Sequence, residues 1–238
     1  VKRKPTTWEQ QRLRLENRTR LIRAYLSGGE PSGATPTAAY IETTSRCNLD
    51  CPMCARQLAG PEWLNVDMNS EDFETALAAL APTCELVLPF AGGEPLLHRD
   101  LPHFIAAIKA SGRRVELATN ATLLNRKIAR DLFLARVDTL VISLDAASPE
   151  SYAAIRRGGD FERTRAGIMT LLRTKRQMHA STWVIVQMVS LPENRHETSL
   201  FRKQWQHVDG VDAVRVKADE VNVERVRSGR FGQQSSPR

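Results

Sequence analysis

The chain has 238 residues, 42% hydrophobic and 26% charged, which is enough for one large α/β domain with a full core or for two small ones. No apolar run approaches the roughly 20 residues of a membrane-spanning helix, and the basic start Val1-Lys-Arg-Lys is not followed by the apolar stretch of a secretory signal, so the expected location is the reducing cytoplasm. The net charge of +7 sits at the ends, with eight Lys/Arg against Glu9 and Glu16 in residues 1–23 and four Arg against Glu224 in residues 221–238; the slightly acidic middle is no nucleic-acid surface, and solvated surface is the expected role of the terminal charge.

Trp8 to Leu26 has helical character, with Trp8, Leu15, Ile22 and Leu26 tracing a broken apolar stripe between Arg, Glu and Gln. Gly28-Gly29 ends that helix, and Pro31, Gly33 and Pro36 make a linker, so residues 1–36 read as a basic helical extension packed outside the main domain. A first strand, Tyr40 to Thr44, delivers the chain into Thr44-Ser-Arg-Cys47-Asn-Leu-Asp-Cys51-Pro-Met-Cys54. A helix over 70–81, capped by Asn69 or Ser70, then leads to a strand at Leu86-Val-Leu88 and to Gly92-Gly93-Glu94-Pro95.

Helix 101–111 stops at Gly112 before the strand Val115 to Thr119 and Asn120; helix 126–135 precedes the apolar run Thr139 to Leu144 and Asp145. A helix over 161–177, a strand over 183–189, a helix over 197–207 and a strand at Val214-Arg-Val216 complete six strands alternating with helices, the pattern of a parallel sheet. Runs such as Leu140 to Leu144 are apolar on both faces, as covered parallel strands are, and the G-x-G-x-x-G of a doubly wound nucleotide fold is missing after the first strand. Residues 37–220 thus form an α/β core, and residues 221–238 are a polar tail or the start of a further domain.

Cys47, Cys51 and Cys54 put three soft ligands within eight residues, suited to zinc or an iron–sulfur centre. Three sulfurs are one fewer than a closed site needs, and an open metal position belongs with reaction more than with scaffolding. Three readings compete: a Cys3His zinc site completed by His98 or His103, unligated buried cysteines, and a disulfide that leaves one cysteine over.

The loop resembles the C-x3-C-x2-C signature of the radical S-adenosylmethionine (SAM) superfamily, with Met53 in the hydrophobic position before the last cysteine. Gly92-Gly93-Glu94-Pro95, one β/α unit later, is similar to the family's GGE element. The resemblance implies a partial (β/α)6 TIM-like barrel carrying the N-terminal helical extension, a [4Fe-4S] cluster on Cys47, Cys51 and Cys54, and SAM on the fourth iron. It implies that Glu94 in the glycine turn holds the SAM amino group, and that Asn120, Ser143 and Asp145 at strand ends hold its ribose and carboxylate, with Gln187 near the adenine. Read without the family, Asn120 is a turn former, Asp145 a cap for a helix entering at Ser148-Pro149, and Gln187 an amide bonded to its neighbours.

The activity so implied is reductive cleavage of SAM to methionine and a 5′-deoxyadenosyl radical, which takes hydrogen from an unactivated carbon of a carbohydrate-like or peptide substrate. Oxidation, epimerisation, decarboxylation or peptide modification follows, with a flavodoxin- or ferredoxin-like protein as external one-electron donor. Glu42 and Glu116 are candidate substrate contacts or satisfied structural carboxylates, and Cys84 is either a buried free cysteine or a hydrogen donor lining the cavity. Relatives of the SPASM/twitch-like branch carry a C-terminal extension with further cysteines; no cysteine follows Cys84, so the expectation is a one-cluster enzyme or a chain that stops where such a domain begins. The rival function is a non-catalytic zinc or iron–sulfur module whose basic arm contacts RNA or an acidic partner.

Overall fold

A computed structural model describes residues 7–30, 32–54, 56–57 and 63–218. The expected polar tail, residues 221–238, lies outside the described residues, as do the first basic residues and Pro31 of the linker.

Six parallel strands pair in chain order, β1 to β6, into one sheet. They are β1 (Ala38–Tyr40), β2 (Leu86–Leu88), β3 (Arg114–Thr119), β4 (Thr139–Ser143), β5 (Trp183–Ser190) and β6 (Ala213–Ala218). Sequential order means that every crossover returns to the adjacent strand. That is the wiring of a barrel, not of a doubly wound sheet, where the order reverses. No pairing of β6 with β1 closes the sheet among the described residues, which makes the barrel partial.

The helices are α1 (Thr7–Ser27), α2 (Ser70–Ala79), α3 (Leu101–Ala110), α4 (Arg126–Leu134), α5 (Pro149–Ile155), α6 (Phe161–Gln177) and α7 (Thr198–Trp205). Local chemistry sets their starts: Asn69, Asn125, Ser148 and Asp160 each accept a backbone N–H of the first turn. Ser148, not Asp145, caps the helix at Pro149. The last expected helix is split into a 3-10 turn, Arg195–Glu197, and α7.

Alternation along the strands decides which side chains meet the helices. Val87, Val115, Leu117, Leu140, Ile142, Val184, Val186 and Met188 pack with Phe73, Phe104, Ile108, Leu132, Ile168, Leu171 and Phe201 of the helices in one buried cluster. Phe73 and Phe104 stack there at 4.1 Å. The other face, bearing Glu116, Ser143, Gln187 and Arg215, is left for the concave side of the barrel.

Two expectations about the N-terminal part change. The first strand spans Ala38–Tyr40 instead of Tyr40 to Thr44, because the chain leaves β2 after Ile41 and pairs with the returning segment 66–68. Thr43 gives its hydroxyl to Pro89 O and Thr44 to Asp67 Oδ1 at 2.6 Å, side-chain bonds that hold this departure. The α1 stripe of Trp8, Leu15, Ile22 and Leu26 faces solvent, with Asn17 the buried residue of the helix. Its basic residues fasten it instead: Arg14 donates to the carbonyls of Pro82, Cys84 and Gly112, Arg18 pairs with Glu85, and Arg20 reaches Gly33 O. Three of the N-terminal cations, Arg14, Arg18 and Arg20, therefore serve internal contacts. No helix among the described residues is long and apolar enough to cross a membrane.

Candidate active site at the C-terminal ends of the strands

The loop after β1 carries Cys47, Cys51 and Cys54, none in a disulfide; Cys51 is buried and the other two half-buried. Its course is fixed at both ends. Cys54 N bonds Cys51 O at 3.0 Å, and Asp50 N bonds Arg157 O at 2.9 Å, which ties the loop to the connection beyond β4. On the other side Glu94 N bonds Arg46 O at 2.7 Å, so the Gly92-Gly93 turn lies directly against the entry to the cysteine loop.

Glycine is required at that contact. A Cβ on Gly93 would stand 2.0 Å from Thr44 O and 2.8 Å from Arg46 O, both backbone atoms. A Cβ on Gly92 would meet the Trp63 ring at 2.4 Å. Trp63, which the sequence did not single out, is anchored by donation from Nε1 to Ser45 O at 2.8 Å.

The two glutamates near this turn hold it together. Glu42 Oε1 accepts Gly92 N at 2.7 Å and Gly93 N at 3.2 Å, which makes it a brace for the turn. Glu94 is 2% exposed. Its carboxylate accepts Thr119 Oγ1 at 2.6 Å, Asn120 N at 2.7 Å and Leu96 N at 3.1 Å. Burial pushes this carboxyl above its ordinary pKa, opposed by those three bonds. A carboxylate offers about four lone-pair sites, so most of Glu94 is already committed to joining the turn to the end of β3. Pro95 is buried and opens the 3-10 turn Pro95–Leu97.

Asn120 sits where the sequence placed it. Its Nδ2 approaches Cys47 Sγ at 3.8 Å and donates to Asn48 Oδ1 at 3.0 Å, while its Oδ1 accepts Thr122 Oγ1 at 2.7 Å. Ser143 ends β4 on the concave face in register with Gln187 and makes no side-chain hydrogen bond among the described residues. Gln187 stands on the same concave face, but its Oε1 accepts from Arg215 Nη1 at 3.4 Å, so the amide is partly engaged.

Asp145 is fully buried and has φ +59°, a left-handed conformation uncommon outside glycine. Its Oδ1 accepts Val189 N at 2.7 Å and its Oδ2 pairs with Arg156. Arg156 in turn reaches Cys51 Sγ with Nη1 at 3.8 Å. Burial works against the charge of this guanidinium, yet Asp145 and Cys51 hold its pKa above the ordinary value. Burial pushes both Cys47 and Cys51 thiols up, and Arg156 offsets this in part at Cys51. Asn194, also fully buried, donates to Asp145 O at 2.7 Å and Val189 O at 2.8 Å, and Glu197 accepts Ala147 N at 2.8 Å and the Ser148 hydroxyl. Arg156, Asn194 and Glu197 were not anticipated; the one available cue was a carboxylate, Asp145, directly after an apolar strand, where burial requires a partner.

The remaining candidates separate. Cys84 is 2% exposed within the helix-side core, with Sγ against Leu86 O at 3.5 Å, so it does not line the cavity. Glu116 is half-buried on the concave face without a partner among the described residues. Met53 is half-buried and makes no polar contact there.

The donor set fits an iron–sulfur cluster: three free thiols on one loop, two of them approached by N–H donors. Among the described residues no three His, Cys, Asp or Glu side chains are gathered at metal-binding distance. The Cys3His zinc alternative is not supported. Both ring nitrogens of His98 are used, Nε2 with Met68 O at 2.9 Å and Nδ1 with Asp100 N at 3.1 Å, and His103 is exposed on α3.

The sequence of residues 41–201 matches the Radical SAM superfamily, and the chain belongs to it. This is a family of enzymes that use a [4Fe-4S] cluster and SAM. Among curated relatives, the chain is 34% identical over 102 residues to Fe-coproporphyrin III synthase of Methanosarcina barkeri, covering 43% of this chain and 25% of that protein. It is 33% identical over 129 residues to a probable GTP 3′,8-cyclase of Methanothermobacter marburgensis, covering 54% and 41%. The chain thus spans less than half the length of these relatives. In structure it resembles Streptococcus suis SuiB bound to its precursor peptide SuiA, with TM-score 0.60 at 18% identity over 84% of this chain and 43% of that one, a likeness of fold.

Proposed function

We propose that this chain is the catalytic core of a radical SAM enzyme acting on a small molecule or a peptide, with an external flavodoxin- or ferredoxin-like electron donor, in the cytoplasm. The observation that carries the reading is the contact of the Gly92-Gly93 turn with the entry to the cysteine loop, Glu94 N to Arg46 O at 2.7 Å, which brings the two family motifs to one rim of the barrel. When bound, the cluster supplies the electron that cleaves SAM to methionine and a 5′-deoxyadenosyl radical.

The protein's own residues then have separate tasks. Cys47, Cys51 and Cys54 hold the cluster, with Asn120 and Arg156 steadying the first two sulfurs. The Gly92-Gly93 backbone takes the amino end of SAM, while Glu94 fixes that turn against β3 and has one lone pair to spare for the ligand. Ser143 and Gln187 point polar groups into the cavity beside it, and the buried Asp145–Arg156 pair carries the wall between them. Membership of the family, the exposed position of His103 and the engagement of His98 favour this over a zinc module with a basic arm.

Anaerobic reconstitution with iron and sulfide, followed by reduction in the presence of SAM, tests the proposal. Release of 5′-deoxyadenosine and methionine in equal amounts supports it; a reconstituted cluster that leaves SAM intact removes it.

A further inference from the structure

We propose that the β6 edge of the concave face is an oxyanion subsite in which Arg215 and Lys217 bind a carboxylate or phosphate group of the substrate. The inference rests on the reading of that face as the reaction cavity. Along β6, Val214 and Val216 pack against the helix-side core, so the intervening Arg215 and Lys217 stand on the opposite, concave face. Register agrees: Arg215 pairs with Gln187 and Lys217 with Val189 of β5, and Gln187 pairs with Ser143 of β4.

This position adjoins the proposed chemistry. Val189, beside Lys217, donates its N–H to Asp145 Oδ1 at 2.7 Å, and the Arg156 partner of Asp145 reaches Cys51 Sγ at 3.8 Å. A group held by Lys217 therefore lies one strand from the polar relay that ends on a cluster cysteine.

Both cations are half-buried yet poorly matched. Among the described residues Lys217 has no polar side-chain partner, and the one side-chain hydrogen bond of Arg215 is the 3.4 Å approach to Gln187 Oε1. The concave-face carboxylate Glu116 is on β3, three strands away, roughly 14 Å along a sheet with strands about 4.8 Å apart. Half-burying two like charges side by side, with no counter-charge among the described residues, is unfavourable, and an anionic ligand reduces the penalty. Charges on an edge strand, inward-pointing ones included, also deter edge-to-edge pairing, and the anion titration separates that role from ligand binding.

Two anion probes separate the sources of the oxyanion: tripolyphosphate for phosphates and tricarballylate for carboxylates. Binding to the reconstituted protein is followed at low salt by calorimetry. At least one probe is expected to bind, and Arg215→Gln/Lys217→Gln is expected to weaken it by about tenfold or more, as loss of charge-assisted bonds does. Lys203→Gln, at an exposed site on α7, is expected to bind as the native protein does. If the double variant does not fold, Lys217→Gln alone is read against the same threshold reduced to about threefold. Failure of both probes to bind, equal binding by native and variant proteins, or an equal loss in Lys203→Gln overturns the subsite. SAM cleavage by the native protein is measured separately, so failure of the radical reading shows as absent 5′-deoxyadenosine whatever the anion titration returns.

Discussion

The Gly93 contact gives the most demanding test, because the same substitution at three glycines meets three different surroundings. In Gly93→Ala the new Cβ falls 2.0 Å from Thr44 O, roughly 1.5 Å inside ordinary contact, and neither backbone can yield without parting the turn from the cysteine loop. Overpacking of this kind costs about 1–3 kcal/mol, and separating the two segments also loses the bond from Glu94 N to Arg46 O, about 1 kcal/mol more. A loss of about 2–4 kcal/mol lowers the melting temperature of a chain this size by about 5–15 °C. Because the displaced segment leads directly into Cys47, iron content after reconstitution should fall as well. In Gly92→Ala the obstacle is the Trp63 side chain, which can turn away, so the expected cost is smaller, about 1–2 kcal/mol. In Gly28→Ala nothing lies within 4 Å and only φ +65° opposes the substitution, about 1 kcal/mol with iron content unchanged. Differential scanning calorimetry and iron analysis on the three proteins decide it. A Gly93→Ala protein with native melting temperature and native iron refutes the contact, and a loss at Gly28→Ala equal to that at Gly93→Ala removes the close approach as its cause.

Three further outcomes follow from the same geometry. Alanine at Cys47, Cys51 or Cys54 should each abolish cluster retention by iron and sulfide analysis, whereas Cys84→Ala should keep the cluster and lose only about 1–2 kcal/mol of core packing. Arg156→Gln leaves the fully buried Asp145 without its counter-charge and should cost about 3–5 kcal/mol in urea unfolding, with Arg156→Lys recovering part of it. For Glu197, burial pushes the carboxyl up, but bonds from Ser148, Ala147 and Ser151 outweigh it and the net pKa lies below the ordinary 4.5. Its contribution is thus present above about pH 4.5 and lost as pH falls through the lower folded value. Glu197→Gln should flatten this acid limb of a stability–pH curve, and an unchanged limb would contradict it.

Most of the architecture was legible because it depends on local patterns: six apolar strands between capped helices, with Gly112 ending α3 and Asn69 starting α2. The first strand was misjudged since Ile41 to Thr44 has strand composition. What draws it out of the sheet is a partner more than twenty residues away, Asp67, that no local window contains. The α1 stripe failed for the opposite reason: periodicity marked an apolar face, but the contacts that seat the helix are made by Arg14 and Arg18.

The site divides along the same line. Cysteine spacing and the Gly-Gly-Glu-Pro stretch lie close in sequence and could be read; the roles of Glu42 and Glu94 as braces depend on carbonyls and N–H groups brought in by other strands. Arg156 is more than a hundred residues from Cys51, so only the fold shows that they meet. Arg215 and Lys217 read as an ordinary alternating edge strand until Val214 and Val216 are seen against the core.

The central claim is that three cysteines leave one iron free for SAM. Electron–nuclear double resonance of the reduced, reconstituted protein with SAM isotopically labelled at its methionyl nitrogen measures this directly. A hyperfine coupling between the labelled nitrogen and the cluster is expected, absent when unlabelled SAM is used. A cluster signal that shows no such coupling and does not change on addition of SAM would contradict it.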